Sequence, residues 1–150
     1  MLRGTGFSIS GSAASATAVM ANGNTIFTIA GGPIYILCLQ SVCITVNDTT
    51  ASTLQYQSVP TLGSAATISG ASTTLAAAAT GVGATVTMNG AALSTAPEVV
   101  TGAAGGVAIP GGGVIVQPGT IKIVVGVGST TGTWKHYISY FTMAPGVTVS

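Results

Sequence analysis

This chain offers few side chains that could carry out chemistry. Its 150 residues include one histidine and five charged side chains, namely His136, Arg3, Asp48, Glu98, Lys122 and Lys135. Ordinary soluble domains are about a quarter charged, and acid–base catalysis, metal ligation and phosphate binding depend on charged or titratable groups. The composition therefore favours a structural or packing role.

A catalytic Ser-His-Asp triad could be assembled only from His136, Asp48 and one of the many serines. No Gly-x-Ser-x-Gly turn accompanies these residues, and histidine and aspartate each occur only once. His136 falls in a predicted strand beside Trp134, where we expect an imidazole that is packed or hydrogen-bonded within a sheet. We predict that it is not a general base.

Asp48 and Glu98 are the only carboxylates that could act together in glycoside hydrolysis. Asp48 comes at the end of a predicted strand and precedes two threonines, which is typical of a turn-forming aspartate. Glu98 follows Pro97 in a segment predicted to lie between strands, where we expect it to be solvated. We predict no catalytic residues and do not expect an enzyme.

The cysteines and the glycine-rich segments do not indicate a metal or a cofactor. Cys38 and Cys43 are five apart in one predicted strand, so they should lie on opposite faces and form no disulfide unless a bulge intervenes. Zinc takes four ligands and His136 is the only other obvious candidate, so we expect two small buried hydrophobes. Segments 102–106 and 111–113 lack the Lys-Ser/Thr of a phosphate loop and are predicted loops. We predict no metal site and no cofactor.

Charge and hydropathy also restrict the partners. Three basic residues cannot follow a nucleic-acid backbone, so we expect no direct binding to nucleic acid. Mean hydropathy is +0.71, but the best apolar run, 34–46, contains Gln40 and Ser41 and is shorter than the ~20 residues of a spanning helix. We expect no membrane association. No apolar secretory segment follows Arg3, so we expect the protein to act where it is made or in a particle assembled there.

From Thr25 onward, short β-branched runs alternate with Gly, Pro, Asn and Ser, which indicates an all-β domain. We predict strands at 25–29, 34–46, 53–57, 66–68, 73–78, 85–88, 91–93, 107–109, 114–117, 120–127 and 133–142. About ten short strands in about 125 residues favour an antiparallel β-sandwich, with the jelly roll as the leading type.

Turns and faces follow from the same pattern. Asn89-Gly90 suits a type I′ hairpin and Pro118-Gly119 suits a tight reversal, and both imply antiparallel neighbours. In the predicted strand 120–127, alternation places Ile121, Ile123, Val125 and Val127 on an inner face. In the predicted strand 133–142, both alternating faces are largely apolar, so we expect this strand to lie inside a sandwich or against another subunit; one face carries Trp134, His136, Ile138 and Tyr140, and the other carries Lys135, Tyr137, Ser139 and Phe141.

The first 24 residues differ from the rest. Segment 6–21 consists almost entirely of small residues and has neither a helical nor a strand period. If extended, about 22 residues reach roughly 70–80 Å, far enough to touch a neighbouring subunit; a disordered terminus is the alternative. We therefore divide the chain into an extended N-terminal arm, 1–24, and a single β-sandwich domain, 25–150.

Three stretches of the sequence resemble a group of tailed-phage virion proteins. They are TIFTIAGGPI at 25–34, TLQY at 53–56 with Pro60-Thr61 after it, and the C-terminal PGTI…TTGTWKHYISYFTMAPGVTV. The group consists of small jelly-roll head proteins described as decoration or cement proteins, and the similarity covers about Thr25 to Val149. We expect the group to carry an acidic residue in the proline-containing loop near the end, whereas 143–146 has none.

The resemblance implies a structural protein on the outer surface of the phage head, made in the host cytoplasm. There, many copies, as homotrimers, would bridge subunits of the major capsid protein and stabilise the head against internal DNA pressure. Sparse charge agrees with this role, because many copies can pack without like-charge repulsion and little charge is desolvated on docking. The alternative is a tail or fibre-associated β-sandwich module that binds a host receptor or carbohydrate.

Overall fold

The computed structural model describes residues 10–76, 80–88, 96–100, 113–127 and 131–150. Over these residues the chain forms two antiparallel sheets and contains no helix. This architecture confirms the predicted all-β sandwich. No described segment is therefore a helix long and apolar enough to cross a membrane.

Seven strands form the first sheet, namely β1 (Ser10–Ala14), β2 (Ala18–Val19), β4 (Ile34–Thr45), β7 (Thr85–Thr87), β8 (Glu98–Val100), β9 (Val114–Val116) and β11 (Thr133–Thr142). Five form the second, namely β3 (Thr25–Ala30), β5 (Leu54–Pro60), β6 (Ala66–Thr67), β10 (Gly119–Val125) and β12 (Thr148–Val149). The first sheet runs β1-β11-β4-β7-β8, with β2 also beside β11 and β9 also beside β4. The second runs β12-β3-β10-β5-β6.

Alternating side chains of both sheets enclose one hydrophobic core. The structure decides between the two largely apolar faces of β11, since Trp134, His136, Ile138 and Tyr140 are all buried whereas Tyr137 on the other face is 40% exposed. Along β10, the inward positions end at Val125 together with the strand. Val127, predicted for the same face, is 56% exposed, because beyond the strand end no pairing holds it against the core.

A bulge in β4 changes which residues face the core. Its pairing with β11 skips Leu37, and the buried positions shift from even to odd numbers after that residue. Cys43 is consequently buried while Cys38, on the other face, is half-buried. The two cysteines are free and lie on opposite faces, as predicted.

Two connections cross between the sheets near their centre. β3 continues into β4 and β10 continues into β11, while β3 pairs with β10 and β4 pairs with β11. Immunoglobulin-type sandwiches have the same arrangement: strands B and E lie in one sheet, strands C and F lie in the other, and B continues into C as E continues into F. The strand order does not confirm the predicted jelly-roll type.

The Pro118-Gly119 turn joins the two sheets and is not a hairpin. β9 before it pairs with β4, whereas β10 after it pairs with β3 and β5, so the predicted antiparallel pair does not form. Gly119 has φ +151°, and a Cβ there would overlap the Val59 carbonyl oxygen and lie 2.6 Å from Pro60 Cα. Only glycine fits this backbone approach.

The extended arm predicted over 1–24 is not confirmed. From Ser10 onward this segment belongs to the sandwich, because β1 and β2 pair with β11 along the edge of the first sheet. Met20 has no exposed surface and packs in the core. Small residues carry no clear period, yet their backbones pair with a long neighbouring strand. Residues 1–9 lie outside the described residues.

The other strand predictions had mixed outcomes. Most of the longer strands are present, while β1, β2, β8 and β12 were not predicted. Residues 73–76, predicted as part of a strand, form none; there Leu75 is buried and its N–H donates to the Ser52 carbonyl at 2.7 Å. The predicted strands 91–93 and 107–109 and the Asn89-Gly90 turn lie outside the described residues.

Candidate functional site

The only histidine lies between the sheets in contact with polar side chains. His136 on β11 is the register partner of Ser41 on β4, and both side chains face the core. The Ser41 Oγ atom lies 2.7 Å from His136 Nδ1 and 2.8 Å from the Tyr56 hydroxyl oxygen. Tyr56 comes from β5 of the second sheet and donates to the Val86 carbonyl at 3.0 Å. The network thus links the two sheets.

Hydrogen counting fixes the direction of this network. Because the Tyr56 hydrogen points to the Val86 carbonyl, Tyr56 must accept from Ser41, and Ser41 must then accept from His136 Nδ1–H. Only this arrangement places one hydrogen in each of the three contacts. His136 is therefore the Nδ1–H tautomer, and its Nε2 atom carries a free lone pair.

Burial keeps the network uncharged. It lowers the pKa of His136 to about 4, because the imidazolium ion would lose its hydration in the core. Burial also raises the pKa of Tyr56 well above its ordinary value, a shift that the Ser41 hydrogen bond partly opposes. At neutral pH all three side chains are neutral.

This geometry does not activate a nucleophile. Ser41 has no exposed surface, so a substrate has no access to its hydroxyl. Its hydrogen points to Tyr56 and not to His136, whereas nucleophilic serine catalysis needs the imidazole to accept that proton. The prediction of a hydrogen-bonded core histidine is confirmed, and the three residues form a structural link.

The two acidic residues come from other elements of the chain. Asp48 Oδ1 accepts a 2.8 Å hydrogen bond from the Thr50 N–H, which is the turn-forming role predicted for it. Glu98 is not in an inter-strand segment as predicted. It is the first residue of β8 and pairs with Thr87 of β7.

A second polar cluster anchors the tryptophan. Trp134 is fully buried and its Nε1–H donates to Asn47 Oδ1 at 2.9 Å. Asn47 in turn donates to the Leu75 carbonyl at 2.8 Å. These bonds hold the chain after β4 and the segment after β6 against β11, so this cluster is also structural.

The remaining predicted features bring no further reactive groups together. Burial raises the pKa of both cysteine thiols, which disfavours the thiolate needed for metal binding or nucleophilic attack. Within the described residues, no three of His, Cys, Asp and Glu are grouped to hold a metal. Lys135 Nζ lies 5.6 Å from the Tyr137 ring centroid on the outer face of β11. The segment 102–106 and Arg3 lie outside the described residues.

A cavity of about 260 Å³ lies beside His136, between the β1–β2 edge and the start of β3. Three residues lie between Ala14 and Ala18 on the edge of the sheet, but only two residues, Lys135 and His136, lie opposite them on β11. The edge therefore carries a β-bulge. Ser15 spans the bulge by donating its N–H to the His136 carbonyl at 2.9 Å and accepting the His136 N–H on its Oγ at 3.0 Å. The bulge thus opens a space against the imidazole.

Ser41 and Tyr56 were not predicted to belong with His136. Ser41 shows a weak signal, because it is a polar residue at an inward position whose neighbours on the same face, Leu39 and Cys43, are small or apolar. Tyr56 shows no such signal, since an aromatic residue in a strand is ordinary core.

Comparisons with models of protein families, with curated proteins and with solved structures found no match to this chain.

Proposed function

We propose that this chain is a structural protein of a tailed-phage head. It would bind the outer surface of the capsid as a homotrimeric decoration or cement protein and bridge subunits of the major capsid protein. The observation that carries the proposal is the near absence of charge on a sandwich whose sequence resembles such proteins over about 25–149. Only five of the 150 residues are charged.

The interior of the protein supports a passive role. Inside the described sandwich, the hydrogen-bonded network of Ser41, Tyr56 and His136 joins the two sheets. Such cross-sheet bonds stiffen the body. A rigid body suits a protein that must resist deformation of a shell.

Apolar side chains on the outside provide contact area. Leu62, in the turn after β5, is 89% exposed, and Ile115 on β9 is 54% exposed. Between β6 and β9 runs a groove of about 170 Å³, lined on one side by Pro60 and on the other by Ile115. Burying a side chain such as leucine against a capsid subunit contributes about 1.5–3 kcal/mol.

Copy number per particle tests the proposal first. Quantitative mass spectrometry of purified virus particles should give a simple ratio to the major capsid protein that corresponds to hundreds of copies. A few dozen copies would favour the tail or fibre module that binds a host receptor or carbohydrate. Absence from the particle would overturn the structural role.

The manner of attachment gives a second test. Because few ion pairs are available, occupancy on heads should survive a several-fold increase in salt. Leu62→Ser should lower occupancy, whereas Val82→Ser, which removes another exposed apolar side chain (63% exposed) near the start of β7, serves as the matched control. Release by moderate salt alone, or equal effects of the two variants, would contradict attachment through the Leu62 region.

A further inference from the structure

The cavity beside His136 has no part in the proposed function. Its walls come from the bulged edge of the first sheet, including Ser15, Ala16 and Val19, and from the start of β3, including Thr25 and Ile26. Bulges interrupt pairing that a regular edge strand would complete, and they frequently re-aim groups at binding sites. Here the interruption coincides with the only histidine of the chain.

The imidazole presents an unused acceptor on this side. His136 Nδ1 is directed at Ser41 on β4, which flanks β11 on one side, and the cavity lies toward β1 and β2, which flank it on the other. No described residue pairs with Nε2, although the side chain is only 4% exposed. Nε2 is not one of the fully enclosed atoms that lack a partner, so solvent reaches it, and a hydroxyl donor that replaces this solvent would satisfy it equally well.

The lining selects a neutral donor. The described lining residues include no Lys, Arg, Asp or Glu side chain, so the side chains there favour a neutral donor over an ion. Asn24 donates to the Val19 carbonyl at 3.1 Å through Nδ2, and Thr25 adds a hydroxyl at the rim. A hydroxyl group both donates and accepts hydrogen bonds, so it complements the acceptor Nε2 together with the polar groups of Asn24 and Thr25. The apolar side chains of Ala16 and Val19 suit the carbon skeleton of a ligand.

We propose that this cavity binds a neutral hydroxylated compound the size of a small polyol or one sugar ring, one of whose hydroxyls donates to His136 Nε2. A volume of about 260 Å³ equals about nine waters of liquid and lies just below the range of drug-sized pockets. For ligands this small, dissociation constants in the millimolar range are expected.

NMR of the isolated protein tests this site directly, because His136 is the only histidine. The Nε2 and Hε1 resonances are followed at pH 7 during titration with glycerol and with methyl α-D-glucopyranoside, against N-methylacetamide and sodium acetate. The expected result is a saturable shift with at least one hydroxylated probe and a linear, non-saturating response to the other two. Equal saturation by N-methylacetamide would overturn the hydroxyl assignment, and no saturation by any probe would overturn the site.

Two variants distinguish binding in the cavity from general solvent effects. In both, binding is followed through the backbone amide resonances of Ala14 and Val19. Ala16→Leu fills the cavity and should weaken binding at least about tenfold, whereas Ala30→Leu, an exposed position at the far end of β3, should leave it unchanged. His136→Asn keeps a donor for Ser41 but removes Nε2, and it should abolish saturation. Unaltered binding in both Ala16→Leu and His136→Asn would overturn the site. These measurements need no virus particle, so their failure and that of the capsid role are distinguishable.

Discussion

Acid should destabilise this protein through a single residue, His136. In the unfolded chain the imidazole takes up a proton near pH 6.5, whereas in the folded protein burial lowers its pKa to about 4. Between these values the unfolded state binds one proton more than the folded state, so stability falls as pH falls. The loss begins near pH 6.5 and levels off below pH 4.

The size of the effect follows from the two pKa values. Each pH unit between them removes about 1.4 kcal/mol, so about 3 kcal/mol of unfolding free energy is lost between pH 7 and pH 4. That is a large part of the stability of an ordinary domain, which is about 5–15 kcal/mol. Only two carboxylates, Asp48 and Glu98, add to the acid titration, so the histidine should dominate it.

Urea unfolding followed by the fluorescence of Trp134 measures this loss. Trp134 is the only tryptophan, is fully buried and lies two residues from His136. His136→Asn is the matched variant, because its side-chain amide can still donate to Ser41 but does not titrate. Its unfolding free energy should be lower at pH 7 and nearly constant down to pH 5. A wild-type free energy that changes by less than about 1 kcal/mol between pH 7 and pH 4.5, or a variant that keeps the wild-type slope, would refute the reasoning.

Three substitutions test other parts of the interior by the same unfolding assay at pH 7. Tyr56→Phe removes the hydroxyl that links the sheets and leaves Ser41 without its acceptor, so it should cost about 1–3 kcal/mol; an unchanged free energy would show that the cross-sheet bonds carry no net stability. Ser52→Ala removes a fully buried hydroxyl with no hydrogen-bond partner and should stabilise the protein by about 1 kcal/mol. Its control, Ser41→Ala, removes a hydrogen-bonded hydroxyl and should destabilise the protein. A change of the same sign in both variants would contradict the idea that hydrogen bonding decides the effect of a buried hydroxyl. Gly119→Ala should cost more than about 2 kcal/mol of unfolding free energy, because the added Cβ would meet backbone atoms at a positive φ. Gly81→Ala is the control and should be nearly neutral, because nothing lies within 4 Å of the added Cβ. Equal costs in the two variants would contradict the tight backbone approach at Gly119.

Regular alternation made parts of the fold readable from sequence. The strand predicted at 133–142 has the bounds of β11, and the inner face assigned to Ile121, Ile123 and Val125 is the buried face of β10. A strand that is buried on one face carries a period of two in its own residues. The period did not decide which face of β11 is buried, because both of its faces are largely apolar, and the expectation for His136 came only from its place within a strand.

Short and edge strands were not readable in this way. β1 and β2 consist of small residues without a clear period, and what makes them strands is the long neighbour β11, more than 100 residues later in the chain. The same holds for Pro118-Gly119. The residue types predicted a tight turn there, but they did not indicate that the chain crosses to the other sheet after it. Whether such a turn closes a hairpin or crosses to another sheet depends on which strands are free to pair.

The sequence by itself determined the charge-poor composition, the all-β class and the placement of His136 within a strand, because these depend on residue types and local period. Only the tertiary structure decided what His136 touches. Its partners, Ser41 and Tyr56, are 95 and 80 residues away in sequence and come from both sheets. The direction of the hydrogen bonds, the free Nε2 acceptor and the cavity beside it arise from non-local pairing, which leaves no trace in any short window of sequence.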